Sequence, residues 1–210
     1  MSEALASTLT HLEALVGFDT RNPPRAIGTG GMFDYLRANL PGFRFELTDF
    51  GAGAVALLAV RGSPRRLFNV HMDTVPDSPA WTASPHVLRV TADRAIGLGA
   101  CDIKGAAAAM LAAAARTTGD AAFLFTTDEE ANDARCIAGF LAQGHGFSEA
   151  IVAEPTHCEA VLAHRGIASV LMKFQGQAGH ASAANALKLS ALHQAIHWGE
   201  AALAFVESQA

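Results

Sequence analysis

The stretch LFNVHMDTVP, residues 67–76, runs an apolar segment straight into His71, places Asp73 two positions on and stops at Pro76. In an extended chain, residues two apart share a face, so Asp73 can hold the imidazole of a metal-binding His71 in one tautomer. A lone His-x-Asp has a blander reading, a polar strand end beside a turn, because Asp before Thr-Val-Pro is good turn chemistry. The rest of the chain argues against it. AAFLFTT, residues 121–127, leads at once into Asp128-Glu129-Glu130, and EAIVA, residues 149–153, leads into Glu154-Pro155. Loops at the carboxyl ends of parallel strands converge on one edge of an open α/β sheet, and ligands bind there. Three apolar runs that end in oxygen or nitrogen ligands therefore share one structural address. Asp102, in the glycine-flanked turn IGLGACDIKG, is a fourth contributor, although standing alone it would be read as the N-cap of the following helix. A dinucleotide fingerprint fails in that turn, because GLGACD lacks the third glycine and the acidic residue about 20 positions on.

One histidine with several carboxylates and no thiolate suits zinc, cobalt or manganese rather than copper(I) or an iron–sulfur cluster. Two ions about 3.5–4 Å apart need a bridging carboxylate and further acidic ligands. The inventory fits two divalent ions better than one. Glu129 and Glu130, adjacent at a strand end, point to different sides. One of them can bind metal while the other acts as a general base; the alternative is a solvated acidic turn, TTDEEAND.

These residues need a scaffold to hold them. Leu5, Leu9, Leu12, Leu15 and Val16 recur at helical spacing up to Gly17, and Met32, Phe33, Leu36 and Leu40 mark a second helix over about 30–40. FRFELTDF, AVALLAV and RRLFNVH read as strands, the first two separated by Gly51 and Gly53. An alanine-rich helix follows Asp102 to about Arg116, then strand AAFLFTT, a helix over about 133–143, and strand EAIVA. Strands alternating with helices predict an α/β fold, a three-layer αβα domain with a mostly parallel mixed sheet. Near residue 165 the character changes. RGIASVLMKFQGQ reads as a strand, and Leu187, Leu189, Leu192, Ile196, Leu203 and Phe205 mark a terminal helix. The expected division is therefore a catalytic domain over 1–165 and the beginning of a smaller α+β domain over 166–210.

Half of the 210 residues are hydrophobic and 17% are charged, a globular composition. The net charge of −5, with scattered acids and no basic run, argues against nucleic acid or an anionic membrane as partner. Cys101, Cys136 and Cys158 are odd in number and widely spaced, so neither a disulfide framework nor a thiolate zinc site is implied. The amino terminus lacks a basic leader, and the longest apolar run, GAAAAMLAAAA, is shorter than the roughly 18 residues of a bilayer span. A cytoplasmic protein is expected.

HMDTVP, GLGACDIKGAAAA, TTDEEAN, AEPT and GHAS, in that order, resemble the motifs of the dinuclear zinc aminoacylase and carboxypeptidase family, in particular its acetylornithine/acetylcitrulline deacetylase branch. The resemblance covers the whole chain. It implies that His71 binds the first metal, Asp102 bridges both, Glu154 completes the first site and Glu130 binds the second. It implies Glu129 as general acid/base and Asp73 as the residue that orients His71. His180 of GHAS resembles a lid-domain histidine that helps stabilise the oxyanion in a neighbouring subunit's site. The implied reaction removes the acetyl group of a small N-acetyl amino acid, acetylcitrulline or acetylornithine, in arginine biosynthesis, with two Zn²⁺ or Co²⁺ ions and a homodimer for the full-length protein. Family alternatives are dipeptide or other acyl-amino-acid hydrolysis, or a metal-binding fragment without turnover. The family's last metal ligand, a histidine far along a longer chain, has no counterpart here, which implies an amino-terminal part of such an enzyme. His193 and His197 do not replace it: HQAIH has Gln194 where a zincin needs glutamate, so they read as surface or packing residues.

Overall fold

The computed structural model of the chain describes all residues except 164, 165, 167–169, 181, 183, 184 and 210, and the side chain of Ala186. The chain divides into two compact units, Met1–Ala160 and Val161–Ala210.

The first unit begins with α1 (Glu3–Gly17) and α2 (Met32–Ala38), followed by β1 (Arg44–Asp49), β2 (Val55–Arg61) and β3 (Arg66–His71). A small hairpin, β4 (Arg89–Val90) and β5 (Ala95–Ile96), precedes an irregular turn at Ala100–Lys104 and the alanine-rich α3 (Gly105–Ala115). The unit ends with β6 (Ala121–Thr126), α4 (Arg135–Ala142) and β7 (Glu149–Val152). Ser2 caps α1 by accepting from Leu5 N at 3.3 Å, and the apolar stripe of that helix buries Leu12, Leu15 and Val16. Its packing partner is α3. Small alanines let these helices approach closely, so Ala107, Ala108 and Ala112 are buried.

Five strands form one sheet in the order β1-β2-β6-β3-β7. β3 runs parallel to both β6 and β7, whereas β1 with β2 and β2 with β6 are antiparallel. The sheet is mixed, as expected, but its parallel part is confined to the three strands that carry the candidate ligands. The reason is local: β1 and β2 are joined by a tight turn through Gly51 and Gly53, both at positive φ, and so short a link can only pair strands antiparallel.

Side-chain alternation divides the core between the two faces. Val55, Leu57, Phe123 and Phe125 join the helices α1, α2 and α3 on one face. Ala56, Leu58, Ala122 and Leu124 meet Cys136 and Phe140 of α4 on the other. This is the three-layer arrangement. Among the described residues, no helix is long and apolar enough to cross a membrane.

In the second unit, α5 (Ala186–Leu189) and α6 (Ala191–Ser208) are separated at Ser190, whose side chain caps α6 by accepting from His193 N. The terminal helix is thus present, interrupted once. The strand expected over RGIASVLMKFQGQ is not seen in its described residues, 166 and 170–177; residues 165 and 167–169 lie outside the description. A strand needs a hydrogen-bonding neighbour. Among the described residues, the second unit contains no other strand to supply one.

Candidate metal centre

The register of the parallel strands places His71 opposite Thr126 and Asn69 opposite Val152, so the segments leaving β3, β6 and β7 emerge side by side. His71, at the end of β3, is 4% exposed. With its proton on Nδ1, it donates to the backbone carbonyl of Asp73 at 3.1 Å, and Asp73 Oδ1 lies 3.4 Å from the same nitrogen. The other ring nitrogen, Nε2, faces Asp102 Oδ1 at 3.0 Å and Glu154 Oε1 at 4.0 Å. The imidazole is therefore held from behind by Asp73 and presented forward to a group of acids.

Potential ligand atoms fall into two groups, each within 4.8 Å: His71 with Asp102 and Glu154, and His71 with Glu129 and Glu130. The first matches the first-metal set implied by the family resemblance. The second brings in both members of the acidic pair, and Asp102 does not share that group. Asp102 is not an N-cap. It has extended backbone angles within the Ala100–Lys104 turn, and α3 instead begins at Lys104 without a side-chain cap. Gly99, at φ +73°, makes that turn possible. A Cβ there would lie 2.6 Å from Thr74 Cγ2, so the Asp102 turn can press against the loop that follows His71 only with glycine at this position.

The acidic run after β6 is divided by function. Asp128 is buried and accepts from Cys136 N at 2.8 Å, which caps α4. Thr127 Oγ1 accepts from Val55 N at 2.8 Å and donates to Gly53 O at 2.7 Å, anchoring the strand end to the β1–β2 turn. Glu129 is exposed and Glu130 half-buried. The backbone N–H of Glu130 donates to Asp73 Oδ2 at 2.9 Å, linking the second candidate group to the residue behind His71.

The electrostatics are those of a cation site. Burial pushes the carboxyls of Glu130 and Glu154 above the ordinary range; His71 opposes this, and the charges of Asp102 and Glu129 reinforce it. Burial lowers the His71 imidazole, but the hydrogen bond and charge of Asp73, with the charges of Glu154 and Glu129, outweigh it and push the group up to about 9. Asp73 Oδ1 is fully buried with no partner that meets hydrogen-bond geometry. Acids that resist ionisation and an imidazole forced to hold its proton are both relieved when divalent cations supply positive charge. The donor set of oxygens and one imidazole nitrogen fits a divalent cation.

Asn22 was not apparent as a site residue from sequence. It is 2% exposed and its Nδ2 donates to Asp73 Oδ2 at 3.2 Å. The signal available was a polar residue between Arg21 and a Pro-Pro pair, which also reads as an ordinary helix-breaking loop. His180 lies in the second unit, exposed, with Nδ1 2.7 Å from Ser182 Oγ, and belongs to neither ligand group.

This fold and site define a metallopeptidase-type hydrolase domain, and the chain belongs to peptidase family M20/M25/M40, whose model matches residues 67–203. It is 67% identical over its whole length to the N-acetyl-L-citrulline deacetylase of Xanthomonas campestris pv. campestris, covering 58% of that protein. The succinyl-diaminopimelate desuccinylase of Phenylobacterium zucineum is 31% identical over 76% of this chain and 47% of its own length. The chain thus spans about half the length of the curated relatives it matches. Human carnosine dipeptidase 1 superposes with a TM-score of 0.55 at 19% identity, over 70% of this chain and 38% of its own. A Saccharomyces cerevisiae dipeptidase superposes with a TM-score of 0.56 at 16% identity, over 70% and 38%. Those two likenesses concern the fold alone.

Proposed function

We propose that the protein to which this chain belongs is a metal-dependent amidohydrolase that removes the acetyl group from an N-acetyl amino acid, acetylcitrulline or acetylornithine, as a step of arginine biosynthesis in the cytoplasm. The observation that carries this reading is the convergence of two carboxylate pairs on one buried imidazole at the carboxyl edge of β3, β6 and β7. The 67% identity to an acetylcitrulline deacetylase favours that substrate.

In this reading His71, Asp102 and Glu154 would hold one ion, and Glu130 a second that Asp102 would share. Divalent ions bound there would supply Lewis acidity for the amide carbonyl and the attacking water. Glu129 accepts the proton of the attacking water as the new C–O bond forms, and then delivers it to the amine nitrogen, which departs as the amide C–N bond breaks. Its exposure leaves it free to reach substrate, whereas Glu130 is tied through its backbone to Asp73. Asp73 keeps the proton of His71 on Nδ1 and leaves Nε2 as the ligand atom. The second unit is proposed as the start of a dimerisation lid that brings His180 to the oxyanion of a partner's site.

Metal content per chain after dialysis, measured with deacetylation of acetylcitrulline and acetylornithine in zinc or cobalt, tests the proposal. Two ions per chain with turnover lost in Glu129→Ala supports it. Metal binding that survives His71→Ala undoes the assignment of the centre, and turnover of succinylated but not acetylated substrates undoes the assignment of the reaction.

A further inference from the structure

Asp73 is the group behind His71, and the FDTRNPPR loop is hydrogen-bonded to it. The loop is threaded into the site by backbone pairing with the segment after His71: Asn22 N donates to Thr74 O at 2.7 Å and Thr74 N to Thr20 O at 2.9 Å. The buried Asn22 amide then donates from Nδ2 to Asp73 Oδ2 at 3.2 Å and to Thr127 O at 3.4 Å. Its Oδ1 accepts from Arg25 Nε at 3.0 Å. Arg25 in turn donates to Ala52 O and to Asp133 Oδ2, both at 3.2 Å, and Asp133 lies in the same loop as Glu129 and Glu130. With Glu130 N also on Asp73 Oδ2, one carboxylate oxygen is fully engaged. The other, Oδ1, is left with no partner but the histidine 3.4 Å away.

An amide is suited to this task. Its two ends differ, so Arg25 on the oxygen forces the NH₂ group toward Asp73, and the neutral side chain adds no charge to compete for the cations. From these contacts we infer that Asn22, fixed by Arg25, is a positioning residue of the metal centre: it locks the Asp73 carboxylate so that Oδ1 faces His71 Nδ1 and Nε2 is presented to metal. The inference rests on His71 being a metal ligand, and it assigns a function to the RNPPR segment that neither ligand group includes.

The test compares Asn22→Ala, Asn22→Leu and Arg25→Met in two readouts: the His71 Nδ1 proton resonance in the metal-free chain, and the affinity for cobalt followed by its visible absorption. Leucine keeps the γ-branched shape of asparagine without its amide, and methionine keeps the aliphatic reach of Arg25 at a position only 18% exposed. The expected result is a shifted or broadened Nδ1 resonance and cobalt binding weakened about 10- to 100-fold in both Asn22 variants, with a smaller change of the same kind in Arg25→Met. A resonance and affinity that stay at wild-type values in Asn22→Leu while Asn22→Ala loses them would make Asn22 a packing residue and overturn the inference. If Asn22→Ala does not fold, the Leu and Met variants decide the matter alone. A wild-type chain that binds no cobalt, with the resonance still displaced in Asn22→Leu, would keep the orienting role of Asn22 and refute the metal centre.

Discussion

Without metal, His71 should make the first unit less stable as pH rises, and with metal the slope should reverse. The folded-state pKa of the imidazole is pushed up to about 9 from an ordinary 6.5. The folded protein therefore holds the proton more tightly than the unfolded chain does. That stabilisation is fully present below pH 6.5 and is lost as pH rises toward 9. Lys104 acts in the opposite direction at higher pH. Burial lowers its pKa to about 8 from 10.5, so its contribution to stability grows across that interval. In the window between pH 6.5 and about 8 the Lys104 contribution is not yet felt, and the difference between wild type and His71→Ala reports the His71 site. Across that window, a shift of this size removes about 1.5 kcal/mol, which corresponds to a fall in melting temperature of about 3–6 °C for a chain of this length. Melting followed by circular dichroism in EDTA, for wild type and His71→Ala, measures the difference. With zinc or cobalt in excess, rising pH frees the imidazole to bind, and stability should climb over the same window. A wild-type-minus-variant difference that does not change with pH in EDTA would refute the account of the His71 environment.

Four further outcomes follow from the contacts. Metal at about 100 times its dissociation constant should stabilise the first unit by about 2.7 kcal/mol, and Glu154→Gln should abolish most of that gain without lowering the metal-free melting temperature, because its burial and neighbouring charges disfavour the ionised acid; thermal melts with and without cobalt separate the two. Glu129→Gln should lower turnover by about 10²- to 10⁴-fold while metal content remains that of the wild type, read by elemental analysis beside rate measurements on the whole protein. Gly99→Ala should cost about 2 kcal/mol or more, since it forces a side chain into positive φ and against Thr74, and urea unfolding would register it. Arg61→Ala removes a guanidinium stacked 4.7 Å over the Phe43 ring and hydrogen-bonded to Ala114 O at the end of α3; a loss of about 1–2 kcal/mol is expected by the same method.

Much of this protein was legible in one dimension because its signals are local. The stripe of Leu12, Leu15 and Val16, the apolar runs of β2, β3 and β6 and the alanine-rich α3 carry their period or their propensity within a few residues. The ligand candidates were legible for a related reason: His71, Glu129 and Glu154 each follow an apolar run, and a strand that ends in an acid or imidazole announces a sheet edge. The hairpin of Arg89–Val90 and Ala95–Ile96 left too short a pattern to read. The strand expected over RGIASVLMKFQGQ shows the opposite failure, a pattern of the right composition whose described residues find no neighbour to pair with. Asp128 carried the same chemistry as Glu129 and Glu130 on paper, and only the position of α4 makes it a cap.

The sequence alone determined which residue types were available and in what order the strands delivered them, because residue identity and hydrophobic period are properties of the chain itself. Tertiary structure decided which oxygens face which nitrogen. It placed Asp102 and Glu154 before His71 Nε2, and it drew Asn22 from a helix-breaking loop 51 residues away to hold Asp73. Those are relations between segments that meet only when the parallel strands are in register, and no spacing along the chain encodes them.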